Sequence, residues 1–94
     1  MTDRPVVAVP AVAHGAWGAL SMALAERGPA PCEESAVPEA WWAFDGELLR
    51  LAKGGCARCP VRPECLAYAE AAGERWGCWG GLSERERARV RRAA

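Results

Sequence analysis

Three cysteines within ten residues constrain this chain more than any other feature. Cys56-Ala57-Arg58-Cys59-Pro60-Val61-Arg62-Pro63-Glu64-Cys65 carries them at C-x2-C-x5-C spacing, and Cys32 extends the pattern to C-x23-C-x2-C-x5-C. Two thiolates with two residues between them can face one metal centre from a single tight turn. A third, six positions past Cys59, can return to it from the start of a helix. The fourth arrives only by folding, which ties the N-terminal part of the chain to the C-terminal part. Four thiolates suit a closed zinc site or a cubane iron–sulfur cluster.

A chain of 94 residues needs such a staple. At this size roughly 60% of the unfolded surface is buried on folding, and small domains lean on metals, disulfides or partners. Hydrophobic content is 51%, but much of it is alanine, which fills little volume. Five of the seven aromatics are tryptophan, so the expected core is thin and indole-rich. Formal net charge is zero, so contact with a polyanion would have to come from a local patch. No apolar run is long enough to span a bilayer, and the proline-interrupted start is a poor secretory signal. A cytoplasmic location is expected, where clustered cysteines more often mean metal or redox chemistry than structural disulfides.

Along the chain, residues 1–15 read as a flexible arm punctuated by Pro5, Pro10 and Gly15, with His14 a bystander. Residues 16–82 form the expected folded unit, and 83–94 a basic C-terminal helix. Trp17, Leu20 and Leu24 make one face of a short helix that Gly28-Pro29 ends. Pro29 to Cys32 reads as extended. Trp41-Trp42-Ala43-Phe44 is the densest aromatic cluster, able to roof the cysteine site or to anchor a partner. A helix is predicted from Asp45, as its cap, to Lys53, stopped by Gly54-Gly55. Another begins near Pro63 and ends at Gly73, with Cys65 in its first turn, where the helix dipole is expected to lower that thiol's pKa. Trp76-Gly77-Cys78-Trp79-Gly80-Gly81 predicts a tight turn with positive φ values. Ser83 and Glu86 then match a capping box, opening a helix. From Ser83 onward there are five arginines (Arg85, Arg87, Arg89, Arg91, Arg92) against two glutamates. That helix is either a solvated face or a contact for nucleic-acid phosphates. The fold class is mostly α: about four short helices, a glycine-rich β-turn and the basic helix.

Spacing alone leaves zinc and iron–sulfur both open. Structural zinc sites usually present two close cysteine pairs, and here there is one. The ferredoxin run C-x2-C-x2-C-x3-C-P does not match either. Lys53, Arg58 and Arg62 lie near the ligands in sequence and would suit an anionic cluster. Cys78 is left over as a free thiol.

Taken together, Cys32, Cys56-x2-Cys59-Pro60, x5-Cys65 and the Gly77-to-Gly81 turn, followed by a basic end, resemble the WhiB-like proteins of actinobacteria and their phages. The resemblance covers about residues 17–92, and Trp41-Trp42 resembles the family's aromatic pair. It implies a 4Fe–4S cluster held by Cys32, Cys56, Cys59 and Cys65, with a mostly helical domain wrapped around it. It implies a transcription regulator, not an enzyme, docking as a monomer on the C-terminal domain (region 4) of the primary sigma factor. Trp41, Trp42, Trp79, Gly80 and Gly81 are the expected sigma contacts. Arg85, Arg87, Arg89, Arg91 and Arg92 are the expected promoter DNA contacts, without an Arg-Gly-Arg or Gly-Arg-Pro minor-groove hook. Family clusters react with oxygen or nitric oxide. Cys78 stands in the turn where the family usually has an aliphatic residue. Two other functions fit the cysteines: a thiol–disulfide oxidoreductase using Cys56-x2-Cys59, and a zinc-stabilised interaction module.

Overall fold

A computed structural model describes residues 8–93. Most of the expected N-terminal arm, residues 1–7, lies outside the described residues, as does Ala94. Within the rest of that stretch, a 3-10 turn at Ala11–Ala13 leads into α1 (His14–Arg27). Ala13 is fully buried, so ordered packing starts earlier than the prolines suggest. After α1 come α2 (Pro31–Glu34), a 3-10 helix at Pro38–Trp42, α3 (Gly46–Ala57), α4 (Arg62–Ala72) and α5 (Glu84–Ala93). The only pairing outside helices among the described residues is the isolated bridge between Trp79 and Leu82. None of the described helices is long and apolar enough to cross a membrane.

Two helical boundaries depart from expectation, each for a steric reason. Pro29 to Cys32 is not extended throughout. Pro31, with its φ preset for a helix, opens the single turn of α2, and the Glu33 carboxylate accepts the Ala30 N–H at 2.9 Å. Cys32 therefore sits on a helical turn. Likewise α3 does not stop at Gly54-Gly55 but runs on to Ala57, carrying Cys56 in its last turn. Gly55 is there for closeness, since a Cβ on it would lie 2.7 Å from the Trp41 ring. Asp45 precedes α3, but its side chain caps no N–H. At the end of α4 the expected stop holds: Gly73 is left-handed, with φ 66°.

Two small cores result. Tyr68 of α4 is fully buried, edge-on to Trp17 of α1 at 5.2 Å and tilted against Trp79 at 5.5 Å. Leu20, Ala30 and Val61 complete this first core, on which Cys32, Cys59 and Cys65 pack. Burying a residue such as Leu20 or Val61 contributes roughly 1.5–3 kcal/mol. The second core joins Trp41, Ala40 and Ala52 to Cys56 and Cys78, and Cys32 touches it as well. The cysteines thus lie along the seam between the two.

α5 begins on a reciprocal cap. The Glu86 N–H donates to Ser83 Oγ at 3.2 Å, and the Ser83 N–H donates to Glu86 Oε1 at 2.8 Å. Lys53 Nζ donates to the same Oε1 at 2.7 Å, locking α5 to α3. These bonds, Lys53's first, hold the Glu86 carboxyl down to about 2. A carboxyl lowered from its ordinary 4.5 contributes stability above that pH and loses it as pH falls toward 2. Solvent screens this part-exposed pair, so Glu86→Ala is expected to cost about 1–2 kcal/mol at neutral pH. Urea titrations at pH 7 and pH 2.5 check it: the deficit should shrink at the lower pH, and a constant deficit would contradict the assignment.

Candidate metal centre

Each cysteine reaches the seam from a different local structure. Cys32 comes from α2, Cys56 from the last turn of α3, Cys59 from the α3–α4 link and Cys65 from the first turn of α4. All five, including Cys78, line a single partly open cavity of about 250 Å³. All are free thiols; Cys56 and Cys78 are buried, the other three half-buried. Among the described residues no three His, Cys, Asp or Glu side chains converge closely enough to hold one metal ion. A tetrahedral zinc with bonds near 2.3 Å needs its sulfurs only about 3.8 Å apart. Four thiols around one cavity are a donor set that suits a polynuclear group as well as a single ion.

Backbone and indole N–H groups from the wall favour thiolate at three of these sulfurs. Val61 N–H serves Cys59, Gly80 N–H serves Cys65, and the Trp41 indole and Gly81 N–H serve Cys56. The expected lowering of Cys65 by its helix is not found. Burial dominates and pushes that thiol up to about 12, with the neighbouring cysteines adding to the rise. Burial likewise raises Cys32 to about 11 and raises Cys59. Cys56 moves the other way, held down first by its hydrogen bond with Cys78, then by the Trp41 indole, the Gly81 N–H and the Arg62 charge. Of the three nearby cations, Arg62 favours a Cys56 thiolate, whereas at Cys78 the neighbouring Cys56 and burial raise the pKa and outweigh Lys53. Arg58 turns away to donate to the Gly54 carbonyl at 3.0 Å.

The Trp79-Gly80-Gly81-Leu82 turn closes one side of the cavity. Trp79 and Leu82 exchange N–H···O bonds of 3.0 Å across it, and Gly80 and Gly81 take φ values of 57° and 88°. Two consecutive positive φ values call for glycine. Closeness calls for it again: a Cβ on Gly80 would lie 2.5 Å from Leu66 Cβ. Gly80→Ala is expected to cost about 2–4 kcal/mol from strain and clash combined. A urea midpoint equal to that of the parent chain would refute this.

The expected partner-facing residues divide by exposure. Trp41, Gly80 and Gly81 are buried, so none of them is a surface anchor. Trp41 lies over Gly55 and Cys56, and the two glycines face inward on the sulfurs. Trp42 and Trp79 remain half-exposed, edge-on to each other at 6.2 Å and 87°. On α5, Arg85, Arg89, Arg91 and Arg92 are exposed, with the Arg85 guanidinium 4.6 Å above the Phe44 ring.

Arg87 is the exception, only 3% exposed. Its Nη1 donates to the carbonyls of Gly77 at 2.7 Å and Leu82 at 2.8 Å. Its Nη2 donates to those of Glu74 at 3.2 Å and Trp76 at 3.4 Å. It cannot also meet a phosphate. A basic run shows nothing of this inward turn, because five arginines in alternation look alike. Arg27, also unremarked in the sequence, donates to Glu64 at 2.7 Å and to the Pro60 carbonyl at 3.2 Å, tying α1 to the cysteine loop.

The sequence model of the WhiB transcription-factor family matches residues 26–90. The chain is 54% identical over 57 residues to the transcriptional regulator WhiB of Streptomyces coelicolor, an alignment covering 61% of this chain and 66% of that protein. It is 56% identical over 55 residues to the transcriptional regulator WhiB2 of Mycobacterium tuberculosis, covering 58% of this chain and 62% of that protein. It is 61% identical over 36 residues to the transcriptional regulator WhiD of Streptomyces coelicolor, covering 38% of this chain and 32% of that protein. The chain thus spans about two thirds or less of the length of these relatives. All four spaced cysteines, the Gly80-Gly81 turn and most of α5 fall inside the matched segment, and the chain belongs to the WhiB family of transcription factors.

Proposed function

We propose that this chain is a transcription regulator, not an enzyme. It holds a 4Fe–4S cluster on Cys32, Cys56, Cys59 and Cys65 and docks on region 4 of the primary sigma factor. The observation that carries the reading is the cavity: thiols from four separate segments line one hollow of about 250 Å³. The names of the relatives, transcriptional regulators all, point the same way. When bound, such a cluster supplies a redox-active iron centre that reacts with oxygen or nitric oxide.

The chain's own residues do the rest. Burial holds Cys32, Cys59 and Cys65 as neutral thiols, so loading releases protons and is favoured at higher pH. Gly80 and Gly81 turn N–H groups to the sulfurs, which couples the centre to the outer surface of the same turn. Trp79 of that turn and Trp42 beside it are half-exposed, and a part-exposed indole pair is a fit anchor for a protein partner. Arg85, Arg89, Arg91 and Arg92 lie on α5, where promoter phosphates would be met for position more than sequence.

Anaerobic purification with iron and sulfide analysis, followed by capture of the sigma domain, tests this. Brown protein with about four irons, bleached by nitric oxide and retained by sigma, is the expected result. Colourless protein with one zinc points instead to an interaction module. Metal-free but well-folded protein points to thiol–disulfide chemistry. Either outcome overturns the reading.

A further inference from the structure

Cys78 has no part in the four-ligand reading, yet it is the most buried of the five cysteines, at 5% exposed. Its place is set by its neighbours. Its N–H donates to the Trp41 carbonyl at 2.6 Å, Gly77 before it takes a φ of 86°, and Trp79 after it is paired across the turn. The side chain packs against Cys56 in the second core and lines the same cavity. A chain that merely needed bulk here could use valine. What the thiol adds is a second sulfur beside Cys56 on the cavity wall.

We propose that Cys78 is a reserve ligand, held against Cys56 at the cavity wall so that it can take the fourth place when Cys56 is lost. The proposal rests on the cluster reading above. In the intact chain the exchange would balance internally: Cys78 would replace Cys56 as the iron-holding thiolate and its proton would pass to the released Cys56 sulfur, with no electron gained or lost. Where Cys56 is absent, the proton goes to solvent, as at any cysteine ligand. Cys78 lies against Cys56 in particular, so loss of the other ligands should not be rescued.

Anaerobic reconstitution with iron and sulfide, followed by iron analysis and visible spectra, separates the outcomes. Cys56→Ala is expected to keep at least half of the wild-type iron, whereas Cys32→Ala and Cys56→Ala/Cys78→Ala fall below a tenth. Cys56→Ala falling to the level of Cys32→Ala overturns the proposal. So does iron retained by the double variant, which would mean that neither thiol is a ligand. A wild-type chain that takes up no iron overturns the cluster reading first and this proposal with it. If Cys56→Ala does not fold, Cys56→Val, which keeps the bulk in the second core, decides on the same iron readings, alone and combined with Cys78→Ala.

Discussion

Under the proposed function, Cys65→Ser is expected to abolish iron binding, and with it both the stability of the domain and retention by sigma. Cys65 leaves the first turn of α4 beside the Gly80 N–H, at the place where both the first core and the Trp79 turn touch the cavity. A domain of this size has a net stability of about 5–15 kcal/mol in total. Metal binding to thiolates is folding energy, about 10–16 kcal/mol in small zinc domains. The variant should therefore bind less than a tenth of the wild-type iron and lose its cooperative thermal transition, while sigma no longer retains it. Full iron content in Cys65→Ser would remove it from the ligand set. A cooperative transition at the wild-type temperature would show that the cores stand without the centre.

The cysteine spacing made the shared cavity legible, because two residues between Cys56 and Cys59 and five between Cys59 and Cys65 keep those thiols within a turn or two of one another. Glycine is harder to read. The pair Gly54-Gly55 looks like a helix stop, but whether glycine breaks a helix or admits a neighbour depends on what packs there, and the Trp41 ring lies far off in sequence. The same holds for Pro29 to Cys32, where Glu33 turns an extended approach into a helical turn. The turn from Gly77 to Gly81 is legible because positive φ leaves a local signature. Exposure is not legible: Trp41 and Trp42 are adjacent, yet one is core and the other half-exposed. The pKa of Cys65 escapes sequence reasoning for a related reason. Helix position can be read from sequence, but burial is a property of the whole fold, and here it outweighs the dipole.

Arg87→Ala is expected to destabilise the domain by about 3–5 kcal/mol while leaving the exposed basic face in place. The guanidinium is a hub for the Glu74–Leu82 segment, bonded to four of its carbonyls. Bonds to a charged group contribute about 1.5–3 kcal/mol each, and a buried carbonyl left without a donor costs about 1–3 kcal/mol. The loss is reduced because burial lowers the pKa of Arg87 and its Nε finds no partner, so the site already bears a desolvation cost. Lysine lacks the planar fork that spans Gly77, Leu82, Glu74 and Trp76, so Arg87→Lys should rescue only in part. Arg89→Ala is the contrast. It lies exposed on the same helix, so its stability should stay within about 0.5 kcal/mol of the parent. If α5 meets phosphates as proposed, DNA affinity should fall, and the slope of affinity against salt should drop by about one for each phosphate that the side chain no longer neutralises. Urea denaturation and salt-dependent DNA binding, run on both variants, read the two roles separately. An Arg87→Ala chain as stable as Arg89→Ala but weaker on DNA would return Arg87 to the phosphate-binding set and undo its assignment as the clasp of the turn.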